Sequence, residues 1–228
     1  MNFSVASSHD PLQERGLASP LILGSASFTR KLILKEMGVN YQIVVRPIDE
    51  QSVGNRDRDS PSDLVLLLAK AKSSHLVTEI LKGNTEVDPA REWIVLTGDQ
   101  VVTHNGIILE KPDDLDQAKD FVNRYGQSPP STVGSCVLTH IPSGIQVSGV
   151  DTATIRFRKS ISSSNLVDRL IEENAPVMSC AGGLMVEHPL VKEHLDGIDG
   201  TEDSVMGLSK DLVLRLLDEL AIALREKK

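Results

Sequence analysis

Short apolar runs alternate with amphipathic stretches along the first half of this chain, and that alternation restricts the fold more than any other feature. Leu21-Ile22-Leu23 is an apolar run that breaks at Gly24-Ser25-Ala26-Ser27. A helix is predicted over 28–37, with Ser27 as N-cap and Gly38 as stop. Residues 41–46 read as the next strand, closed by Pro47, and 62–81 as a long helix with Val65, Leu68, Leu76 and Ile80 on one stripe. A strand over 93–96 leads into Thr97-Gly98-Asp99-Gln100. The second half gives a helix over 114–125, with Leu115, Ala118, Val122 and Tyr125 inward, and a hairpin joining 131–141 to 145–150. Ala153, Ile155 and Phe157 then alternate with Thr152, Thr154 and Arg156, as in a half-buried strand. Helices follow over 163–174 and 209–228, with an irregular stretch at 180–201 between them. Strands that alternate with helices early and cluster later predict an α/β fold with a mixed sheet.

Composition narrows the class. Against 24 Lys+Arg stand 32 Asp+Glu, a net charge of −8, which excludes a protein that tracks nucleic-acid phosphates with a basic face. No apolar run approaches the roughly 18 residues of a membrane span. The first twenty residues lack a secretory apolar core and carry Asp10 and Glu14, so residues 1–19 read as a polar, poorly ordered leader and 20–228 as the folded domain. Cys136 and Cys180 form neither a disulfide framework nor a zinc site; they fit free thiols in a reducing, cytoplasmic compartment. His188 and His194 lack the spacing of a helical metal pair, and His75, His104 and His140 read as surface or turn residues.

Several positions carry possible chemistry. Lys72 falls on the apolar stripe of its helix, four residues after Leu68 and four before Leu76, where a cation needs a partner or an anionic ligand. The small-residue turn at 24–27 ends at a helix N-terminus, with the hydroxyls of Ser25 and Ser27 and the guanidinium of Arg30 suited to an anion. Read alone, it also fits an ordinary capped βα connection. Glu50 and Asp99 each follow a strand, where α/β sheets place their ligands. Two carboxylates meeting there suit Mg²⁺, and one can take a proton from water; singly, each is also the kind of acid that caps a turn. Asn105-Gly106 is a hairpin turn signal, and counting outward from it pairs 100 with 111, which brings Asp99 and Lys111 to one open end.

These pieces, in order from about Leu21 to Leu220, resemble the Maf family of nucleoside triphosphate pyrophosphatases. The opening LILGSASFTRKLILKEMG is similar to that family's strand, S-x-S-x-x-R turn and helix. IDE at 48–50, LAKAKS at 68–73, TGDQVV at 97–102, GIILEKP at 106–112, CAGG at 180–183 and MGLS at 206–209 match later blocks. The resemblance implies a two-lobed α/β fold, a mixed β-sheet with flanking helices around a central cleft, related in shape to the inosine-triphosphate pyrophosphatases and commonly dimeric. It implies hydrolysis of a nucleoside triphosphate to the monophosphate and pyrophosphate with a divalent metal cation, Mg²⁺ or Mn²⁺. Ser25 and Arg30 would bind phosphate with Lys72 and Lys111, Glu50 and Asp99 would hold the metal, and Asp99 would activate water. Asp99-Gln100 and Cys180-Ala181-Gly182 are similar to the group that favours 7-methyl-GTP; the group that favours dTTP and UTP usually has Asp-Thr and a late glutamine where this chain has Glu187. A carboxylate accepts two donors from a guanine edge and favours a purine made cationic by methylation. Glu187 is accordingly a base reader or an ordinary loop acid, and the alternatives to a 7-methyl-GTP enzyme are a dTTP/UTP enzyme and a non-catalytic nucleotide sensor of growth or division.

Overall fold

The computed structural model describes residues 9–56 and 58–227. In chain order the first elements are α1 (Pro11–Glu14), β1 (Leu21–Leu23), α2 (Phe28–Glu36), β2 (Tyr41–Ile43), α3 (Pro61–Leu81) and β3 (Trp93–Thr97). Next come β4 (Gln100–His104), β5 (Ile107–Leu109), α4 (Leu115–Tyr125), β6 (Ser131–Ile141) and β7 (Gln146–Phe157). The last are α5 (Leu166–Glu172), α6 (Pro189–Lys192), β8 (Leu195–Asp199), α7 (Glu202–Met206) and α8 (Lys210–Glu226). The fold is mixed α/β, as the sequence predicts, with parallel and antiparallel strand pairs. The chain divides into two compact units. One comprises the described residues up to Asp99 with Ser135–Val150 and the chain from Leu208; the other comprises Gln100–Gly134 and Asp151–Gly207.

In the first unit β1 lies between β2 and β3 and runs parallel to both, and β3 pairs antiparallel with residues 137–141 of β6. All three residues of β1 and all five of β3 are buried, the continuous apolar pattern of strands covered on both faces. α3 starts where Ser60 Oγ accepts a hydrogen bond from the Asp63 amide at 3.1 Å and Pro61 supplies a preset φ. Leu76 and Ile80 of α3 pack with Ile22, Trp93, Val95 and Ile141. Each such side chain removed from water contributes about 1.5–3 kcal/mol against chain entropy. α8, capped by Ser209, buries Leu212, Leu216 and Leu220 at i+4 steps.

In the second unit β4 pairs antiparallel with β5 and with residues 131–134 of β6, and the end of β7 pairs with β8. Phe121 and Val122 of α4 and Leu166 and Leu170 of α5 form its core with Val102 and Val191. Tyr125 stacks on Phe157 at 5.9 Å between ring centres.

The structure corrects several expectations. The supposed leader is structured from residue 10: Leu12 is fully buried, and Asp10 caps α1 and accepts hydrogen bonds from Ser19 and Asn40 at 2.6 and 2.9 Å. A buried carboxylate with three donors holds a segment too short for periodicity to reveal. Residues 1–8 lie outside the described residues. β8 forms inside the stretch expected to be irregular. Leu115, expected inward, is exposed, and Phe121 takes the core position instead. His104 and His140 are buried because Ser128 satisfies the first, while Ser143 and Glu92 satisfy the second. Among the described residues no helix is long and apolar enough to cross a membrane.

Candidate active site

β2, β1 and β3 are parallel neighbours, so the segments leaving their carboxyl ends share one edge of the first unit. Those segments carry Glu50, then Ser25 with Arg30, then Asp99. Ser27 caps α2 as expected, its Oγ accepting from the Arg30 amide at 3.4 Å. Ser25 Oγ accepts from the Ser27 amide and from Arg30 Nη1, each at 3.2 Å, which leaves its one proton to donate outward. Arg30 Nη1 also donates to the Gly98 carbonyl at 2.9 Å. Burial lowers the Arg30 pKa, and the carboxylates of Asp99 and Glu50 oppose that shift. The guanidinium therefore fastens the turn after β1 to the turn after β3 and adds positive charge between them.

Lys72 resolves the puzzle of a cation on an inward stripe. Its Nζ donates to Asp99 Oδ1 at 2.5 Å and lies 2.9 Å from Glu50 Oε1. The side chains of Lys72 and Asp99 are 18% and 13% exposed and that of Glu50 is 51%, so the clamp is open only on the Glu50 side. Glu50 sits on a 3-10 turn, Glu50–Ser52, capped by Asp49. Arg56 donates to the Glu50 and Val53 carbonyls at 3.0 and 2.8 Å and holds that turn. Both carboxylates face the same ammonium, and a Mg²⁺-type ion takes oxygen donors of this kind and needs only one or two protein carboxylates. The residues present fit such an ion.

Sequence reasoning missed Ser135. Its Oγ accepts from the Asp99 amide at 3.1 Å and donates to the Val65 carbonyl of α3 at 2.7 Å, while its amide donates to the Asp99 carbonyl at 2.8 Å. The only signal was a small polar residue between Val133 and Val137 of that strand. Gly98 is required here, because a Cβ would collide with the Ser135 carbonyl oxygen well inside 3.0 Å.

Lys111 and Glu187 belong to the second unit. The hairpin turns at Asn105-Gly106 with His104 opposite Ile107, as predicted, but its ladder stops at Val102↔Leu109. The expected pairing of 100 with 111 is therefore not made. The Glu110 carbonyl instead accepts from the Gly182 amide at 3.0 Å, which peels the strand away before Lys111 and ties it to the Cys180-Ala181-Gly182 turn. Burial and then the nearby Glu187 carboxylate raise the Cys180 thiol to about 11, and Lys111 pulls it the other way. Lys111 and Glu187 thus both act electrostatically on one partly buried thiol. His188, through Nδ1, caps α6.

Fold and cluster together define the class, a mixed-sheet α/β protein with interlocked cations and carboxylates at the ends of three parallel strands. The chain belongs to the Maf family: the model for Maf-like proteins matches residues 20–220. It is 36% identical over 202 residues to the Dictyostelium discoideum protein named 7-methyl-GTP pyrophosphatase, covering 89% of this chain and 98% of that one. It is 28% identical over 207 residues to a Streptomyces coelicolor protein named nucleoside triphosphate pyrophosphatase, covering 90% and 93%. A Mycobacterium ulcerans protein of the same name is 24% identical over 215 residues, covering 90% and 94%.

Proposed function

We propose that this chain hydrolyses nucleoside triphosphates to the monophosphate and pyrophosphate, with 7-methyl-GTP as the favoured substrate. The observation that carries the reading is Lys72, a largely buried ammonium held by two carboxylates at the strand ends of a Maf chain. Water attacks the α-phosphorus, a new P–O bond forms, the bond from that phosphorus to the bridging oxygen breaks, and pyrophosphate leaves with the electron pair. Asp99 takes the proton from the water. Its Oδ1 is engaged by Lys72, and among the described residues no hydrogen bond is made to Oδ2, the oxygen that accepts. Glu50 and Asp99 would hold a divalent cation, Mg²⁺ or Mn²⁺, which supplies charge neutralisation and a template when bound. Ser25 donates its free hydroxyl proton to a phosphate oxygen, and Arg30 and Lys72 offset the charge that develops there.

Lys111 and Glu187 enter on other support, namely the GIILEKP and CAGG motifs and their shared neighbour Cys180. Lys111 acts on the phosphates and Glu187 reads the base. The homodimer that the family resemblance implies, checked by light scattering, and a cytoplasmic location, checked by fractionation, complete the reading.

Turnover of 7-methyl-GTP, GTP, UTP and dTTP, each with Mg²⁺ and with Mn²⁺, is measured by phosphate release after added pyrophosphatase. Highest kcat/KM on 7-methyl-GTP is the expected result. Preference for UTP or dTTP would remove the base assignment, and binding without release would make the protein a sensor.

A further inference from the structure

Three buried hydroxyls stand in a row on one face of the first unit's sheet. Thr97 lies opposite Val137 in the β3–β6 ladder, and Ser135 and Thr139 flank Val137 on the same face of β6. Each meets α3. Ser135 donates to the Val65 carbonyl at 2.7 Å, Thr97 donates to the Ala69 carbonyl at 2.8 Å, and Thr139 shares a 2.7 Å hydrogen bond with the Ser73 hydroxyl. The contacted positions, 65, 69 and 73, are one i+4 row of the helix. All four hydroxyl residues are buried, and Thr97 and Ser73 are wholly inaccessible.

The spacings explain why the row closes. Four helical residues rise about 6 Å and two strand residues about 6.8 Å, so a helix running alongside a strand presents a new contact at nearly the same interval. Apolar packing alone tolerates a helix that slides or rotates, whereas hydrogen bonds have a short reach and a direction. A slip of α3 by half a turn would break all three bonds and carry Lys72 about 3 Å along the sheet, and a slip by a full turn would still lose the Thr139–Ser73 bond, the one rung whose partner is a side chain. Lys72 directly precedes Ser73, the last rung, and Ser135, the first rung, also holds the Asp99 amide.

We infer that Thr97, Ser135 and Thr139 form a register lock on α3 whose task is to set Lys72 between Glu50 and Asp99, making these three hydroxyls positioning residues for the reaction. This rests on the proposed pyrophosphatase activity. The lock touches no reacting atom. It fixes where the ammonium stands relative to the carboxylate that takes the proton, a placement in which an error on the order of 1 Å costs about 100-fold in rate.

The test uses the full chain with single substitutions Thr97→Val, Ser135→Ala and Thr139→Val, and the hydroxyl-retaining Thr97→Ser and Ser135→Thr. Two readouts are taken: kcat and KM on the best triphosphate, and the rate at which an amine-acylating reagent modifies Lys72, followed by peptide mass spectrometry against exposed Lys82. The lock predicts a kcat lower by about 10- to 100-fold with KM changed less than about 2-fold. It also predicts faster Lys72 modification in each of the first three variants and recovery of both values in the last two. Unchanged kcat and unchanged modification would overturn it. So would losses that follow melting temperature and persist in the hydroxyl-retaining pair, the mark of a merely structural role. Faster modification in a protein that turns over no triphosphate would support the lock and remove the enzymatic reading that it serves.

Discussion

Gly98→Ala makes the sharpest single test of how Asp99 is held. Gly98 has no positive φ to require glycine; what requires it is the Ser135 backbone, whose carbonyl oxygen a Cβ would meet well inside 3.0 Å. A backbone oxygen cannot swing aside as a side chain can, so one of the two strands must move. The bonds at that point are the ones that position the carboxylate: Asp99 amide to Ser135 Oγ at 3.1 Å and Ser135 amide to Asp99 carbonyl at 2.8 Å. Overpacking of this kind costs about 1–3 kcal/mol. For a chain of this length that is a fall in Tm of roughly 2–12 °C. A displacement on the order of 1 Å at a reacting group costs about 100-fold in rate. The assay is thermal unfolding by circular dichroism beside steady-state turnover at saturating substrate. A kcat fall of about 100-fold in protein still folded at the assay temperature is the expected outcome. Wild-type kcat and Tm in Gly98→Ala would refute both the close approach and the role of the 98–99 segment.

Asp99→Asn keeps the volume and removes the proton acceptor; turnover should fall by at least about 100-fold, while nucleotide affinity, measured by calorimetry, changes little. Glu187→Gln should leave UTP turnover near wild type and lower kcat/KM on 7-methyl-GTP by about 10-fold, read from the substrate panel. Burial raises the Cys136 thiol to about 12, and burial with the Glu187 carboxylate raises Cys180 to about 11. Unfolded thiols ionise near 8.5, so their contribution to stability is complete below that pH and is lost as pH rises toward the folded values. Tm should therefore fall between about pH 8.5 and 11 in thermal scans, and a thiol reagent at pH 8 should modify Cys180 at least about 100-fold more slowly than a free thiol.

The legible parts of this molecule are those whose signal lies within a few neighbouring residues. Ser27 caps its helix because a hydroxyl three residues before an unpaired amide is a local arrangement, and Asn105-Gly106 turns a hairpin because both residues accept positive φ. Lys72 stands out against its own helix, and a cation on an apolar stripe calls for a partner from the sequence alone. Where two distant segments compete for one group, sequence counting fails. The 100–111 pairing is not made, and the chain at Glu110 is tied instead to Gly182, more than 70 residues away. Ser135 was invisible for the same reason, since its partners at 65 and 99 come from two other elements.

The charges of the first-unit cluster explain how an acidic protein can be built to receive an anion. Arg30 and Lys72 carry two positive charges, and Glu50 and Asp99 two negative ones. The set is neutral, which is what allows it to sit partly out of water: a charge without a partner there costs far more than a matched set. A neutral set within a chain of net charge −8 has no long-range pull on a bare triphosphate. Attraction must therefore arise at contact, through donors already aimed, and through a ligand whose own charge is partly balanced by a companion cation. Rigid placement matters more in such a site than in a basic one, because a strongly positive pocket gathers phosphate from many positions whereas a neutral one has only its geometry. The burial of the hydroxyls that fix α3, and the use of Arg30 to fasten two turns together, follow from that requirement.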